Sequence, residues 1–189
     1  MQSDSKPLSS FSRRTFLAGA AAAPLAACTN GLASRGGERI DIRINNALNL
    51  MYTEVPGSRD LEADAAGMLI MPLVTEAGFG VGGSYGRGGL RIGQQTVDYY
   101  SAISGTFGLQ IGAQQYSHAL FFMTPEALSD FRNTGGWAAG ADLRYAGNTD
   151  AANLGIDTTQ LLDPVIAVVF GQAGLIAGAT LDGTRYQRI

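Results

Sequence analysis

The sequence predicts an α+β fold, in which short N-terminal helices precede a curled, mostly antiparallel, glycine-rich β-sheet that is barrel- or sandwich-like. Two observations carry this expectation. Between Glu38 and Tyr52, the residues Ile40, Ile44, Ala47, Leu48 and Met51 recur at helical spacing and form one apolar face. From Gly67 onward that period disappears, and eight of the sixteen residues from Gly78 to Gly93 are glycine. Each glycine inside a helix costs about 1 kcal/mol relative to alanine. The stretch therefore excludes helix and fits a sheet with bulges and close backbone approaches.

The remaining elements follow in order. Pro56 and Gly57 interrupt the first helix, and Ser58–Ala66 forms a second, short one with Ser58 as N-cap and Leu61 and Ala65 facing inward. Met68–Pro72 reads as a buried strand stopped by its proline. Strands follow at Phe79–Tyr85, Gly88–Ile92, Thr96–Ser104, Phe107–Gln115 and Tyr116–Met123. Thr124-Pro125-Glu126 opens a helix, with threonine as cap, proline in the first turn and an acid beside it. Ala127, Leu128 and Phe131 share one side of that helix, which ends before Gly135-Gly136. A strand around Trp137–Tyr145 and a polar loop at Gly147–Thr159 come next. Val165–Phe170 and Leu175–Leu181 form a hairpin across Gly171–Gly174, and Asp182-Gly183 turns the chain into a last strand.

The N-terminus reads as an address. Ser12-Arg13-Arg14-Thr15-Phe16-Leu17 places paired arginines ahead of a mild apolar stretch, the pattern of a twin-arginine export signal. Leu17–Ala27 is too short for the roughly 20 apolar residues that span a bilayer, and fits a signal core. Leu25-Ala26-Ala27-Cys28 resembles a bacterial lipobox, in which Cys28 is acylated and becomes the mature N-terminus. As the one cysteine, Cys28 leaves no partner for an internal disulfide. The expected layout is a signal peptide over residues 1–27, a flexible tether over 28–37 and one domain over 38–189. Thr29, rather than an aspartate, follows the cysteine, and resemblance to lipoprotein sorting implies a periplasm-facing place at the outer membrane.

Composition narrows the partners. The whole chain carries a net charge of −3. Asp4, Lys6, Arg13 and Arg14 leave with the signal, so ten arginines then face fifteen acids, a net −5, with no lysine. An acidic chain with scattered arginines is not a nucleic-acid binder, and no basic run marks a polybasic membrane patch. One histidine, one cysteine and dispersed acids offer no metal-ligand cluster, and no cofactor is expected. Two motifs imitate catalytic sites. Gly78-Phe79-Gly80-Val81-Gly82-Gly83 has dinucleotide-loop spacing, but no helix-forming sequence follows to aim at a pyrophosphate. Gly82-Gly83-Ser84-Tyr85-Gly86 fits a nucleophile elbow, with Asp98 and His118 in the chain order of a hydrolase triad. The glycine-broken segment after Ser84 again lacks the helix that the elbow needs, and His118 sits within an apolar strand. The expectation is no catalytic residue; a serine hydrolase using Ser84 and His118 is the alternative enzyme reading.

A family resemblance joins these pieces. AGFGVGGSYGRGGLR, TVDYYS, FGLQIGAQQYS and ALFFM, all within Ala66–Met123, resemble the SYLF lipid-binding domains, also called Ysc84-type actin-binding domains. The similarity continues, in the same order, through PGSRDLEADAA and GMLIMP before this block, WAAGAD at Trp137–Asp142, and the closing DPVIAVVFGQAGLIAGATLDGTRYQRI. The resemblance implies a non-catalytic domain that binds phospholipid membranes; eukaryotic members are associated with phosphoinositides and some with actin. For a bacterial envelope lipoprotein it implies anionic phospholipid, and actin binding is not expected. Arg39, Arg43, Arg87 and Arg91 are the expected headgroup contacts, because guanidinium forks pair bidentately with phosphate oxygens. The alternative of another class is a structural lipoprotein whose strand surface binds an envelope protein partner.

Overall fold

Ser34 starts the first element. Its side chain accepts a hydrogen bond from the Gly37 amide at 3.0 Å, which satisfies one of the donors left free at a helix start. Helix α1 accordingly spans Arg35–Glu54, and three residues expected in the tether are helical. The computed structural model describes residues 34–134, 137–139, 144–146, 163–174, 181 and 183–189. The expected export signal with Arg13 and Arg14, the expected acylation site Cys28, the loop 147–159 and residues 175–180 of the strand expected at Leu175–Leu181 lie outside the described residues.

The buried face of α1 is the one its periodicity predicts: Ile40, Ile44, Ala47, Leu48 and Met51, joined by Gly37. Helix α2, Ser58–Asp64, is capped by Gly57 rather than Ser58. Gly57 takes φ +88, a left-handed conformation that turns the chain out of α1, and Ser58 becomes the first helical residue, fully buried. Leu61 and Ala65 pack inward against the α1 side of the core.

The sheet departs most from the expected elements. Six short strands are in fact two long ones, β1 (Gly67–Ile92) and β2 (Gln95–Phe122), paired antiparallel from Ile92↔Gln95 to Gly67↔Phe122. A two-residue turn at Gly93-Gln94 joins them, with Gly93 at φ +58. Pro72 does not stop β1. The register shifts between Met71 and Val74, and this bulge absorbs the residue that cannot donate. The Pro72 carbonyl accepts from Ser117 Oγ at 2.8 Å.

This long hairpin folds back on itself. A second register shift lies between Phe79↔Ile111 and Val81↔Phe107, with one residue of β1 against three of β2. A Cβ on Gly78 would sit 2.7 Å from the Gly82 Cα, and one on Gly88 would sit 1.9 Å from the Ile70 carbonyl oxygen. The two halves of β1 therefore lie against each other from the bend to the root of the hairpin. At Gly88 only glycine lets the backbones approach this closely.

β2 also pairs with β5 (Val165–Gly174) near the root and with β6 (Arg185–Arg188) through Tyr100–Ile103. β3 (Trp137–Ala138) extends the sheet beyond β6, and β4 (Arg144–Ala146) lies parallel to β5, the one parallel pairing among the described residues. β5 does not turn at Gly171: it continues to Gly174, and the Gly171 amide donates to Glu54 Oε2 of α1 at 2.8 Å. The α+β class with a mostly antiparallel sheet is thus the observed architecture.

Two apolar clusters hold the sheet from either side. On one face, α1 lays its stripe over Met68, Ile70, Ala119, Phe121, Ile166, Val168 and Phe170. On the other, Leu69, Leu90, Tyr116, Leu120, Phe122 and Tyr186 meet helix α3, Pro125–Asn133. Thr124 caps α3 by accepting from the Ala127 amide at 3.2 Å. Phe131 of α3 anchors an aromatic group, with ring centroids 4.8 Å from Tyr100, 4.7 Å from Phe122 and 5.7 Å from Trp137.

Candidate lipid-binding surface

The residues that imitate a hydrolase triad are committed to separate partners. Ser84 Oγ shares a 2.7 Å hydrogen bond with Ser104 Oγ across the β1–β2 pair. His118 Nε2 bonds the Tyr186 hydroxyl at 2.8 Å, and the fully buried ring is held neutral, its pKa lowered to about 3 by burial. Asp98 faces Arg132 and Arg188 at 3.5 and 3.4 Å. The dinucleotide-like glycines Gly78–Gly83 form the bend of a strand, with no helix after them. Among the described residues, no three His, Cys, Asp or Glu side chains converge on a metal position. No helix among them is long and apolar enough to cross a membrane.

Tyr99, Tyr100 and Tyr116 are buried. The Tyr99 hydroxyl donates to Asp41 Oδ2 at 2.7 Å, and burial, reinforced by that carboxylate, pushes its pKa up to about 12. Asp41 also accepts from Thr96 Oγ1 at 2.8 Å. These bonds clamp the first turns of α1 to the root of the hairpin.

The four arginines expected at a headgroup do not share one place. Arg39 and Arg43 stand exposed on α1. Arg87 lies exposed on β1 towards the bend, and its Nε donates to the Tyr85 hydroxyl at 2.6 Å. Arg91, half-buried at the hairpin root, donates through Nη2 to Asn45 Oδ1 of α1 at 2.7 Å, while its Nε is buried without a hydrogen-bond partner.

Arg91 also lines an open groove of about 590 Å³ between α1, α2 and the hairpin root, together with Asn45, Leu48, Tyr52, Arg59, Glu62, Ala63 and Gln94. Arg59 reaches the same groove from α2, its guanidinium 3.9 Å from the centre of the Tyr52 ring. The Tyr52 hydroxyl donates to Glu62, and burial, then Glu62, raises its pKa to about 12. Two guanidiniums against one carboxylate leave the groove cationic in an acidic chain. Arg59 was not among the sequence expectations. Its signal was local: it lies three residues before Glu62, a spacing that puts Arg59 and Glu62 on one face of α2.

Residues 103–188 match the Ysc84 family model, described as Las17-binding protein actin regulator. This segment is similar to the Ysc84-type, or SYLF, domains. It runs from the middle of β2 through β5 to β6 and includes Phe131, Trp137 and the His118–Tyr186 pair. The matched segment holds only part of the sheet: β1 and α1, which carry Arg39, Arg43, Arg87 and Arg91, precede it in the chain. No curated protein matches the chain.

Proposed function

We infer that the chain is a non-catalytic phospholipid-binding domain of a bacterial cell-envelope lipoprotein, and that it binds anionic headgroups. The observation that carries this reading is the groove where Arg59 and Arg91 converge, with the Arg91 Nε buried and lacking a partner. Guanidinium forks engage phosphate with two parallel bonds. Arg39 and Arg43 on the same helix as Asn45 add positive charge within the Debye length of a bound membrane. Arg13-Arg14 and the Leu25–Cys28 lipobox support export by the twin-arginine route, acylation at Cys28 and a periplasm-facing place at the outer membrane. The family description speaks of Las17 and actin regulation; a bacterial envelope offers neither partner, so lipid is the ligand carried over.

Vesicle co-sedimentation of the full chain bearing Cys28→Ser, expressed without export, tests this apart from the acyl anchor. Binding to anionic vesicles that weakens with salt supports the reading. Absence of binding to every vesicle overturns it and directs the search to an envelope protein partner.

A further inference from the structure

We propose that the bend of the folded β1–β2 hairpin enters the bilayer interface, with Phe79 and Val81 among the acyl chains and Tyr85 and Arg87 at the headgroups. The proposal rests on the lipid-binding reading and adds to it a second contact, apolar and distinct from the Arg59–Arg91 groove.

Exposure singles out the bend. Phe79 is 81% exposed and Val81 66%, with Tyr85 at 48% and Ile103 at 49%. Nothing among the described residues covers the bend as α1 covers the root, and exposed large apolar groups gathered in one region mark an interaction site.

Charge singles it out as well. From Ala77 to Gly86 on β1, and from Tyr99 to Pro125 through all of β2 beyond Asp98, the sequence has no Asp, Glu, Lys or Arg. Glu76, the nearest acid, is turned inward, 5% exposed and bonded to Gln114 Nε2 at 2.7 Å. The bend can therefore enter an apolar layer without carrying a charge into it. Its backbone is also prepared, because β1 pairs with β2 up to Phe79↔Ile111 and Val81↔Phe107 on either side of the bend.

The margin fixes the depth. Four residues of strand put Tyr85 about 13 Å from Val81, so a tilted bend immersed by about 5–10 Å leaves Tyr85 at the water-facing side. There Arg87 Nε holds the Tyr85 hydroxyl at 2.6 Å, which places a guanidinium and a phenol together at the level of lipid phosphates. A bilayer suits this surface better than a protein does. Phe79 and Val81 stand apart on a backbone of Gly78, Gly80, Gly82 and Gly83, which provides no walls for a partner's side chain.

The test uses the full chain with Cys28→Ser and vesicles of phosphatidylcholine with phosphatidylglycerol. Phe79→Ser combined with Val81→Ser is expected to lower the partition coefficient at least about tenfold, with the melting temperature unchanged because both side chains already face water. In a Phe79→Trp variant, lipids brominated on the acyl chains are expected to quench fluorescence beyond the quenching of the parent, whose Trp137 lies in the fold. If the parent binds while the double variant binds equally and the introduced indole is unquenched, the bend is not inserted, although lipid binding itself stands. If the parent binds no vesicle, the lipid reading fails and this inference with it. If instead the parent forms a dimer that the double variant abolishes, the bend is a contact between copies and the proposal is overturned.

Discussion

The root and the bend of one β-hairpin obey different rules in this molecule. At the root, Met68–Met71, Leu90 and Ala119–Phe122 are buried, covered by α1 on one face and by α3 and the strand partners on the other. At the bend the same two strands alternate: Val74, Glu76, Ser84 and Gln114 turn inward while Phe79, Val81 and Tyr85 face water. The inward positions change character as well, from aliphatic at the root to Glu76, Gln114, Ser84 and Ser104 near the bend. Stability is concentrated where both faces are covered, and the apolar surface left uncovered is free to bind.

Substitutions at the two ends should separate these roles. The largest effect is expected at Gly88, where a Cβ would meet the Ile70 carbonyl oxygen at 1.9 Å. Gly88→Ala should cost more than about 3 kcal/mol and leave little folded protein. Gly105→Ala towards the bend, with nothing within 4 Å of its Cβ, should stay within about 0.5 kcal/mol in urea unfolding. Equal costs at the two glycines would mean that the halves of β1 are not pressed together.

Next in size, Phe131→Ala removes the ring that gathers Tyr100, Phe122 and Trp137, and should destabilise by about 3–5 kcal/mol. Val81→Ala, tested in the same denaturant series, should be nearly neutral. A third expectation concerns pH. Burial lowers the His118 pKa to about 3 in the folded state, below its unfolded value of about 6.5. Between these values only the unfolded state binds the proton, so the stability is complete above pH 6.5 and is lost as pH falls. The expected slope is about 1.4 kcal/mol per pH unit from pH 6.5 to 5, where the sole histidine dominates titration. Unfolding curves at pH 7 and pH 5 measure it; equal stabilities would contradict a neutral, buried His118. The smallest effect is at the entry to α3, where Thr124→Ala should cost about 1 kcal/mol through loss of the Ala127 cap.

Much of the root was legible in the sequence, because its signals are local. The five apolar residues of α1 and the Thr124-Pro125 start of α3 are read from spacing and capping chemistry within one or two turns. The hairpin was less legible. Pro72 and the glycine clusters read as breaks, yet β1 runs through them, because pairing with β2 and contact between its own halves outweigh local propensity. Ser58 was expected to cap α2, but the left-handed turn at Gly57 takes that place. The site divides in the same way. Arg91 was read from its chemistry, whereas its meeting with Arg59 across α1 depends on packing between residues far apart in the chain.

The account stands most directly on binding of the full Cys28→Ser chain to phosphatidylglycerol-containing vesicles at low and moderate salt, beside the variant that adds Arg59→Glu and Arg91→Glu. The predicted result is salt-sensitive binding by the parent, and a loss of at least about tenfold when two charges in the groove are reversed. Equal binding by parent and variant, or none by either, would contradict it.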